Sequence, residues 1–131
     1  MKKPFLVLAC VLALTAFAAT MALALPIVGC VATQNVCKGT NRVELIVGIR
    51  GNETILARGG GDRVRGADTP ETIKGGPGRD TILGRGGRDT IRAVDDGTRD
   101  TVRCGPGRDR AHADWEDRLF GCEDEIRYDT F

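Results

Sequence analysis

Acidic and aliphatic residues recur together at a nine-residue spacing through the middle of the chain. An acidic residue stands at every ninth position from Glu44 to Asp89, and an aliphatic residue follows each of them two places later. The acidic series is Glu44, Glu53, Asp62, Glu71, Asp80 and Asp89, and the aliphatic series is Ile46, Ile55, Val64, Ile73, Ile82 and Ile91. A fixed period of this kind is typical of repeat architectures in which each repeat stacks on its neighbours.

The repeat is most complete in residues 75–92. Two successive nonapeptides there fit Gly-Gly-x-Gly-x-Asp-x-aliphatic-x, with Arg85 at one glycine position. Glycine-rich segments form tight turns with positive φ, while triplets such as Thr81-Ile82-Leu83 favour short strands. The pattern therefore predicts an all-β fold, a parallel β-roll or β-solenoid with two repeats per coil. The aliphatic side chains point inward, and the carboxylates lie at the edges of the coils.

Two repeats per coil would place the turns and carboxylates of successive coils above one another. Ca²⁺ prefers six to eight oxygen ligands, so this stacking predicts calcium sites that also drive folding. The candidate ligands are the acidic side chains and turn glycines Asp62, Asp80, Asp89, Glu71, Gly59, Gly60, Gly75, Gly76, Gly78, Gly84, Gly86 and Gly87. We expect the best site between Asp62 and Asp80. The site between Glu71 and Asp89 should be weaker, because glutamate is one methylene longer.

The repeat loosens towards the C-terminus. Eleven residues separate Asp89 from Asp100, the nine-residue step returns at Asp109, and the glycine-rich turns then stop. Because the last coil of a solenoid has no neighbour, residues 110–131 are expected to form a C-terminal cap. Residues 39–109 form the predicted β-roll, and residues 25–38 form an N-terminal lead-in or cap.

The cap contains several large apolar side chains. Trp115, Leu119 and Phe120 are expected to seal the end of the stack. Nearby acidic residues, including Asp114 and Asp117, form a cluster that is expected to be solvated, as most such clusters are.

Residues 1–24 have the features of a secretory signal peptide. Lys2 and Lys3 precede an uncharged apolar run that ends in Ala22-Leu23-Ala24, a small-x-small cleavage pattern. Cleavage there predicts an extracellular protein. Two alternatives stay open. The run is long enough to span a bilayer as an uncleaved anchor, and residues 27–30 loosely resemble a lipoprotein box that would lipidate Cys30. Only these alternatives place the protein on a membrane.

Cleavage after Ala24 would remove Cys10 and leave an even set of cysteines, which suits an oxidising compartment. Nearest-neighbour pairing predicts the disulfides Cys30–Cys37 and Cys104–Cys122. Two other connectivities are possible for four cysteines.

Composition narrows the classes of function. Removing Lys2 and Lys3 leaves 17 basic and 18 acidic residues, a balance that argues against a nucleic-acid partner. The sequence has no serine, and His112 is its single histidine, so no catalytic set is visible and no enzyme is predicted. The glycine motifs are repeat turns rather than phosphate loops before a helix, which argues against nucleotide binding.

Arginine is unusually frequent beside the repeat acids. Arg79, Arg88, Arg99 and Arg108 each directly precede a repeat aspartate. One interpretation is a solvated charged surface, because exposed ion pairs contribute little to stability. The other is an array of arginine–carboxylate pairs that partly replaces calcium, in which case the fold would persist in chelator.

The nonapeptides resemble the hemolysin-type, or RTX, calcium-binding repeat over about residues 39–109. Residues 100–109 (Asp-x-Val-x-Cys-Gly-x-Gly-x-Asp) and Cys122-Glu123 are similar to the end of such arrays in secreted bacterial proteins. The resemblance implies a parallel β-roll, calcium as ligand, and export. The alternative from another class is a structural or adhesive surface scaffold that depends little on calcium.

Overall fold

The computed structural model describes residues 25–29, 35–49, 53–94 and 97–128, and within these ranges the regular structure consists of short strands without helices. The strands are β1 (Ile27–Gly29), β2 (Val36–Lys38), β3 (Leu45–Val47), β4 (Thr54–Leu56), β5 (Arg63–Arg65), β6 (Thr72–Lys74), β7 (Thr81–Leu83), β8 (Thr90–Ala93), β9 (Thr101–Arg103), β10 (Arg110–Asp114), β11 (Arg118–Phe120) and β12 (Asp124–Tyr128).

Successive strands along the chain belong alternately to two parallel sheets. The odd-numbered strands follow the order β1-β3-β5-β7-β9-β11, and the even-numbered strands follow the order β12-β10-β8-β6-β4-β2. Each strand therefore pairs with the strand two repeats further along, so one coil contains two repeats. The prediction of an all-β parallel β-solenoid is confirmed.

The longer step after Asp89 is absorbed without loss of register. Val64 lies opposite Ile82, eighteen positions along, whereas Ile82 lies opposite Val102, twenty positions along. The extra residues lie between β8 and β9 and leave the stacking of the strands intact.

The core is a single file of aliphatic side chains between the two sheets. The central residue of each repeat strand is fully buried while its neighbours on the strand are partly or wholly exposed, as the period of two in a strand requires. The buried file consists of Ile46, Ile55, Val64, Ile73, Ile82, Ile91 and Val102. The inward direction predicted for the aliphatic series is confirmed.

The C-terminal strands continue both sheets, with β10 and β12 extending the even sheet and β11 extending the odd one. Leu119 packs against the core. Trp115 and Phe120, however, are 61% and 48% exposed, so the expectation that they seal the stack is wrong. The backbone after Asp109 itself covers the preceding coils, which leaves these rings outside.

The predicted disulfide between Cys104 and Cys122 is confirmed, with 5.2 Å between the two Cα atoms. It ties the coil that contains β9 to the segment that follows β11. The predicted Cys30–Cys37 pairing involves Cys30, which lies outside the described residues, as does the predicted signal peptide at 1–24. In the part of the chain that is described, no helix has the length and apolar character to cross a membrane.

Candidate functional site

The repeat acids stack into two columns, one along each edge of the solenoid. We call them the first and the second carboxylate column. The first column contains Glu44, Asp62, Asp80, Asp100 and Asp117, and the second contains Glu53, Glu71, Asp89, Asp109 and Glu123. All of them except Glu123 are buried. Carboxylates are rarely buried without compensation, so each one needs a partner.

In the first column, each aspartate accepts a hydrogen bond from the backbone of the acid one coil earlier. Asp62 N–H donates to Asp80 Oδ1 over 2.7 Å, and Asp80 N–H donates to Asp100 Oδ1 over 2.7 Å. Glu44 N–H likewise donates to Asp62 Oδ1, and Asp100 N–H to Asp117 Oδ1, both over 2.8 Å. The side chains thus form a continuous chain of contacts along this edge.

The second column repeats the arrangement on the other edge. Glu71 N–H donates to Asp89 Oδ1 over 3.0 Å, and Asp89 N–H donates to Asp109 Oδ1 over 2.8 Å. Asp109 N–H donates to Glu123 Oε2 over 2.8 Å. Glu71 itself turns back to its own turn, where its Oε1 accepts from Ala67 N–H over 2.7 Å. Its longer side chain therefore bonds locally instead of reaching the preceding coil.

A backbone bond in the opposite direction completes each junction. Thr81 N–H donates to the Asp62 carbonyl oxygen over 2.8 Å, while Asp62 N–H donates to the Asp80 side chain. Successive coils are therefore joined by a main-chain and a side-chain hydrogen bond at the same corner. One oxygen of each such carboxylate is committed to this structural role.

The second oxygen of several carboxylates has no such donor. Asp62 Oδ2, Asp89 Oδ2, Asp109 Oδ2 and Glu71 Oε2 are buried and accept no hydrogen bond from the described residues. A buried acceptor without a partner is unfavourable, and an ionised one more so. These atoms are where a cation would compensate the burial of the acids.

Burial has a direct effect on the proton affinity of these groups. The pKa of Asp89 is raised to about 7, chiefly by desolvation and to a smaller extent by the neighbouring Asp109 and Glu71 carboxylates, while the hydrogen bond from Glu71 N–H opposes the rise. Desolvation likewise raises the pKa values of Asp62 and Asp109 against one backbone hydrogen bond each. An ionised carboxylate is disfavoured here unless a positive charge comes close.

The second oxygens face the glycines that open each strand-to-turn junction. A Cβ atom on Gly84 would lie 2.8 Å from Asp89 Oδ2 and 2.5 Å from the Cys104 carbonyl oxygen. A Cβ on Gly75 would lie 2.7 Å from Asp80 Oδ2. Glycine thus leaves a gap that carboxylate and carbonyl oxygens border together. This all-oxygen donor set fits a hard cation such as Ca²⁺.

The predicted turn glycines also have the expected backbone geometry. Gly60, Gly76, Gly78 and Gly87 have φ between 89° and 124°. A side chain on Gly78 would collide with the Gly60 carbonyl oxygen of the preceding coil, so glycine is required there for two reasons. Gly59 lies beside Asn41, and Gly86 lies beside Asp68, again one coil apart.

The structure brings the predicted ligands together in pairs and not in clusters. Asp62 meets Asp80, and Glu71 meets Asp89, as the two-repeat coil requires. Across the described ranges, no three His, Cys, Asp or Glu side chains converge on one point. A calcium ion would therefore take most of its ligands from backbone carbonyls.

Asp117 is a column member that the sequence-based interpretation missed. Instead of being solvated, it is buried, and it accepts from Asp100 N–H and Asp114 N–H over 2.8 Å each. Its repeat lacks the glycines and lies seventeen residues after Asp100. The signal that could have identified it is Leu119, an aliphatic residue two places later, as in every earlier repeat. Asp114 is buried as well, so the expectation of a solvated cluster is wrong for both residues.

The arginines beside the repeat acids point away from the columns. The side chains of Arg79, Arg88, Arg99 and Arg108 are exposed, while the aspartate after each of them is buried. Arg85 pairs with the exposed Asp68 over 3.3 Å instead of with a column carboxylate. The structure therefore favours the interpretation of a solvated arginine surface.

Of the three comparisons with known proteins, one matches part of the repeat array. Comparison with curated proteins and with solved structures gave no significant match. The family model of the RTX calcium-binding nonapeptide repeat matches four copies within residues 65–97, a shorter span than the resemblance suggested. These residues contain Asp80, Asp89, Glu71 and the complete glycine turns. Residues 65–97 of this chain are therefore similar to RTX calcium-binding nonapeptide repeats.

Proposed function

We propose that the protein binds Ca²⁺ between the coils of its solenoid, through carboxylates of both columns and carbonyls of the glycine turns. The observation that carries this proposal is the set of buried second oxygens, on Asp62, Glu71, Asp89 and Asp109, that accept no hydrogen bond from the described residues. Bound calcium would supply the charge that holds these carboxylates ionised.

The ligand set that we propose is the one that the repeat predicts. Carboxylates of Asp62, Asp80, Asp89 and Glu71 would act with the backbones of Gly59, Gly60, Gly75, Gly76, Gly78, Gly84, Gly86 and Gly87. The best site is proposed beside Asp62 and Asp80, because both are aspartates that reach across a coil. Glu71 is weaker because its side chain bonds to Ala67 of its own turn.

We further propose that the chain is exported after cleavage following Ala24, and that it acts by binding rather than as an enzyme. Repeats of this kind support an extracellular location, where free calcium is abundant. Secretion also agrees with the Cys104–Cys122 disulfide, since such bonds persist in oxidising compartments.

Calcium titration of the purified protein and of the variant Asp80→Ala tests the proposal. Removing a charged ligand should lower the affinity of that site by on the order of tenfold or more, and lower the number of tightly bound ions. Asp68→Ala is the matched control, because Asp68 is exposed and pairs with Arg85 at the surface. Unchanged stoichiometry and affinity in Asp80→Ala would overturn the assignment.

A calcium-independent surface scaffold is the second candidate. It is favoured by the backbone hydrogen bonds along both columns, which join the coils without any metal. Under this alternative, the calcium titration would show no tight site in either the parent protein or the Asp68→Ala control.

A further inference from the structure

Burial separates the acids of this protein from its bases. Ten acidic side chains are buried, whereas no lysine or arginine in the described ranges is buried. The near-zero net charge therefore conceals a surface on which basic groups are in excess. The charge balance of the whole sequence includes these interior carboxylates, which do not reach the surface.

The excess of basic over acidic side chains is greatest on the outer face of the odd-strand sheet. We define the odd-strand face as the outward side chains of β3, β5, β7, β9 and β11. It contains Arg63, Arg65, Arg103 and Arg118, all exposed, and no acidic residue. On the opposite sheet, Arg110 lies 3.9 Å from Asp124, so that face carries both signs of charge.

The side chains of the odd-strand face are in register along the stack. Arg65 lies opposite Leu83, Leu83 opposite Arg103, and Arg103 opposite Phe120. Because neighbouring strands are about 4.8 Å apart, Arg65 and Arg103 stand about 10 Å apart along the coil axis. Between them lies a shallow recess of about 320 Å³ that these two arginines line together with Leu83.

An aromatic ring ends this row. Phe120 is 48% exposed, and the Arg103 guanidinium carbon lies 5.3 Å from the centre of its ring. Arginine pairs with planar anions through two parallel hydrogen bonds. Alternation of arginine with an apolar surface suits a polymer that alternates anionic groups with apolar ring faces.

We propose that the odd-strand face binds an extended anionic polysaccharide that lies along the coil axis. Carboxylate or sulfate groups would pair with Arg65 and Arg103, and the sugar rings between them would pack on Leu83 and Phe120. An extended polymer with anionic groups about 10 Å apart would match the spacing of these two arginines. Single-stranded nucleic acid fits less well, because it stacks its bases on successive aromatic side chains, and Phe120 is the single aromatic residue of this face.

Binding of chondroitin sulfate oligosaccharides to the purified protein in calcium-containing buffer tests the proposal. The double variant Arg65→Gln/Arg103→Gln should weaken binding by about tenfold or more, since two charge-assisted contacts are lost. Lys74→Gln/Arg92→Gln removes the same charge from adjacent strands of the opposite sheet and should change the affinity by less than about twofold. Circular dichroism confirms that both variants fold, as these four side chains are exposed.

Four results would overturn the proposal. Equal weakening by the two double variants would mean that only net charge matters. Binding that persists undiminished in Arg65→Gln/Arg103→Gln would mean that calcium bridges the polymer to other carboxylates. Tighter binding of a thymidine oligonucleotide, or equal binding of uncharged dextran, would assign the face to another partner. Loss of calcium binding itself is measured separately, so the two proposals fail independently.

Discussion

At Asp89, the two carboxylate oxygens have different surroundings. Oδ1 accepts the Glu71 N–H, while Oδ2 is buried beside Gly84 and accepts no hydrogen bond from the described residues. The first oxygen holds two coils together whether or not a metal is bound. A cation would stabilise the second oxygen, because burial of this oxygen without a partner is unfavourable. Structure and ligand binding therefore depend on different atoms of one side chain.

The variant Asp89→Asn separates these two roles. The amide oxygen can still accept the Glu71 N–H, but the side chain no longer ionises. In calcium-free buffer at pH 8, we expect the melting temperature to rise by several degrees, since about 1 kcal/mol shifts it by about 4–8 °C in a domain of this size. In calcium, the stabilisation by the ion should shrink. Both changes are read from thermal unfolding followed by circular dichroism.

Asp68→Asn provides the control for this substitution, because Asp68 is an exposed acid of the same repeat array. It should change neither melting temperature by more than about 1 °C. A calcium-free Asp89→Asn protein that melts below the parent protein would show that the buried charge is not the destabilising feature.

At the scale of the strands, the repeat period predicts the architecture because strands of successive coils can pair in one register only. A shift by one residue would expose the aliphatic file, so Ile82 must lie between Val64 and Val102. The period also tolerates the longer step after Asp89, since β7 and β9 remain in register. The C-terminal coils are less predictable. They lose the glycine turns, and Asp117 keeps its column position through hydrogen bonds from Asp100 N–H and Asp114 N–H.

The repeat pattern also fails to predict other features of the site. The pattern places Asp62 and Asp80 one coil apart, but it does not reveal that the backbone of one donates to the side chain of the other. Nor does it show that Arg79 is exposed while the adjacent Asp80 is buried. The burial and hydrogen bonding of a turn residue depend on how the coils above and below pack against that turn.

The Cys104–Cys122 disulfide should stabilise these C-terminal coils. It closes a loop of 18 residues, so the double variant Cys104→Ser/Cys122→Ser should unfold with a free energy lower by about 3 kcal/mol. We expect amide hydrogen exchange to accelerate first in β11 and β12, because these strands lie at the end of the stack. Equal free energies of unfolding for variant and parent, measured by urea denaturation, would contradict this role.

The whole molecule has a thin apolar core and two columns of buried acids. A single file of aliphatic side chains offers limited hydrophobic stabilisation. Burial raises the pKa values of Asp62, Glu71, Asp89, Asp109 and Asp117, in each case chiefly through desolvation. The folded, calcium-free chain therefore holds more protons than the unfolded chain at mildly acidic pH.

This difference fixes the sign of the pH dependence. Stability falls with rising pH wherever the folded state binds more protons. For Asp89 the window runs from the ordinary value of 3.8 up to about 7. In calcium-free buffer, we expect the melting temperature to be higher at pH 5 than at pH 8. Saturating calcium should abolish or reverse this trend, because the ion binds the deprotonated carboxylates. A calcium-free protein that is more stable at pH 8 would contradict the role of buried acids.

Circular dichroism of the purified protein at pH 8, recorded during heating first in chelator and then in excess calcium, tests the central claim most directly. If calcium neutralises the buried columns, the strand signal in chelator will be lost on heating at a low temperature. Calcium will restore it with a cooperative transition at a clearly higher temperature, as binding to the folded state requires. Identical spectra and identical melting temperatures in the two conditions would contradict the claim.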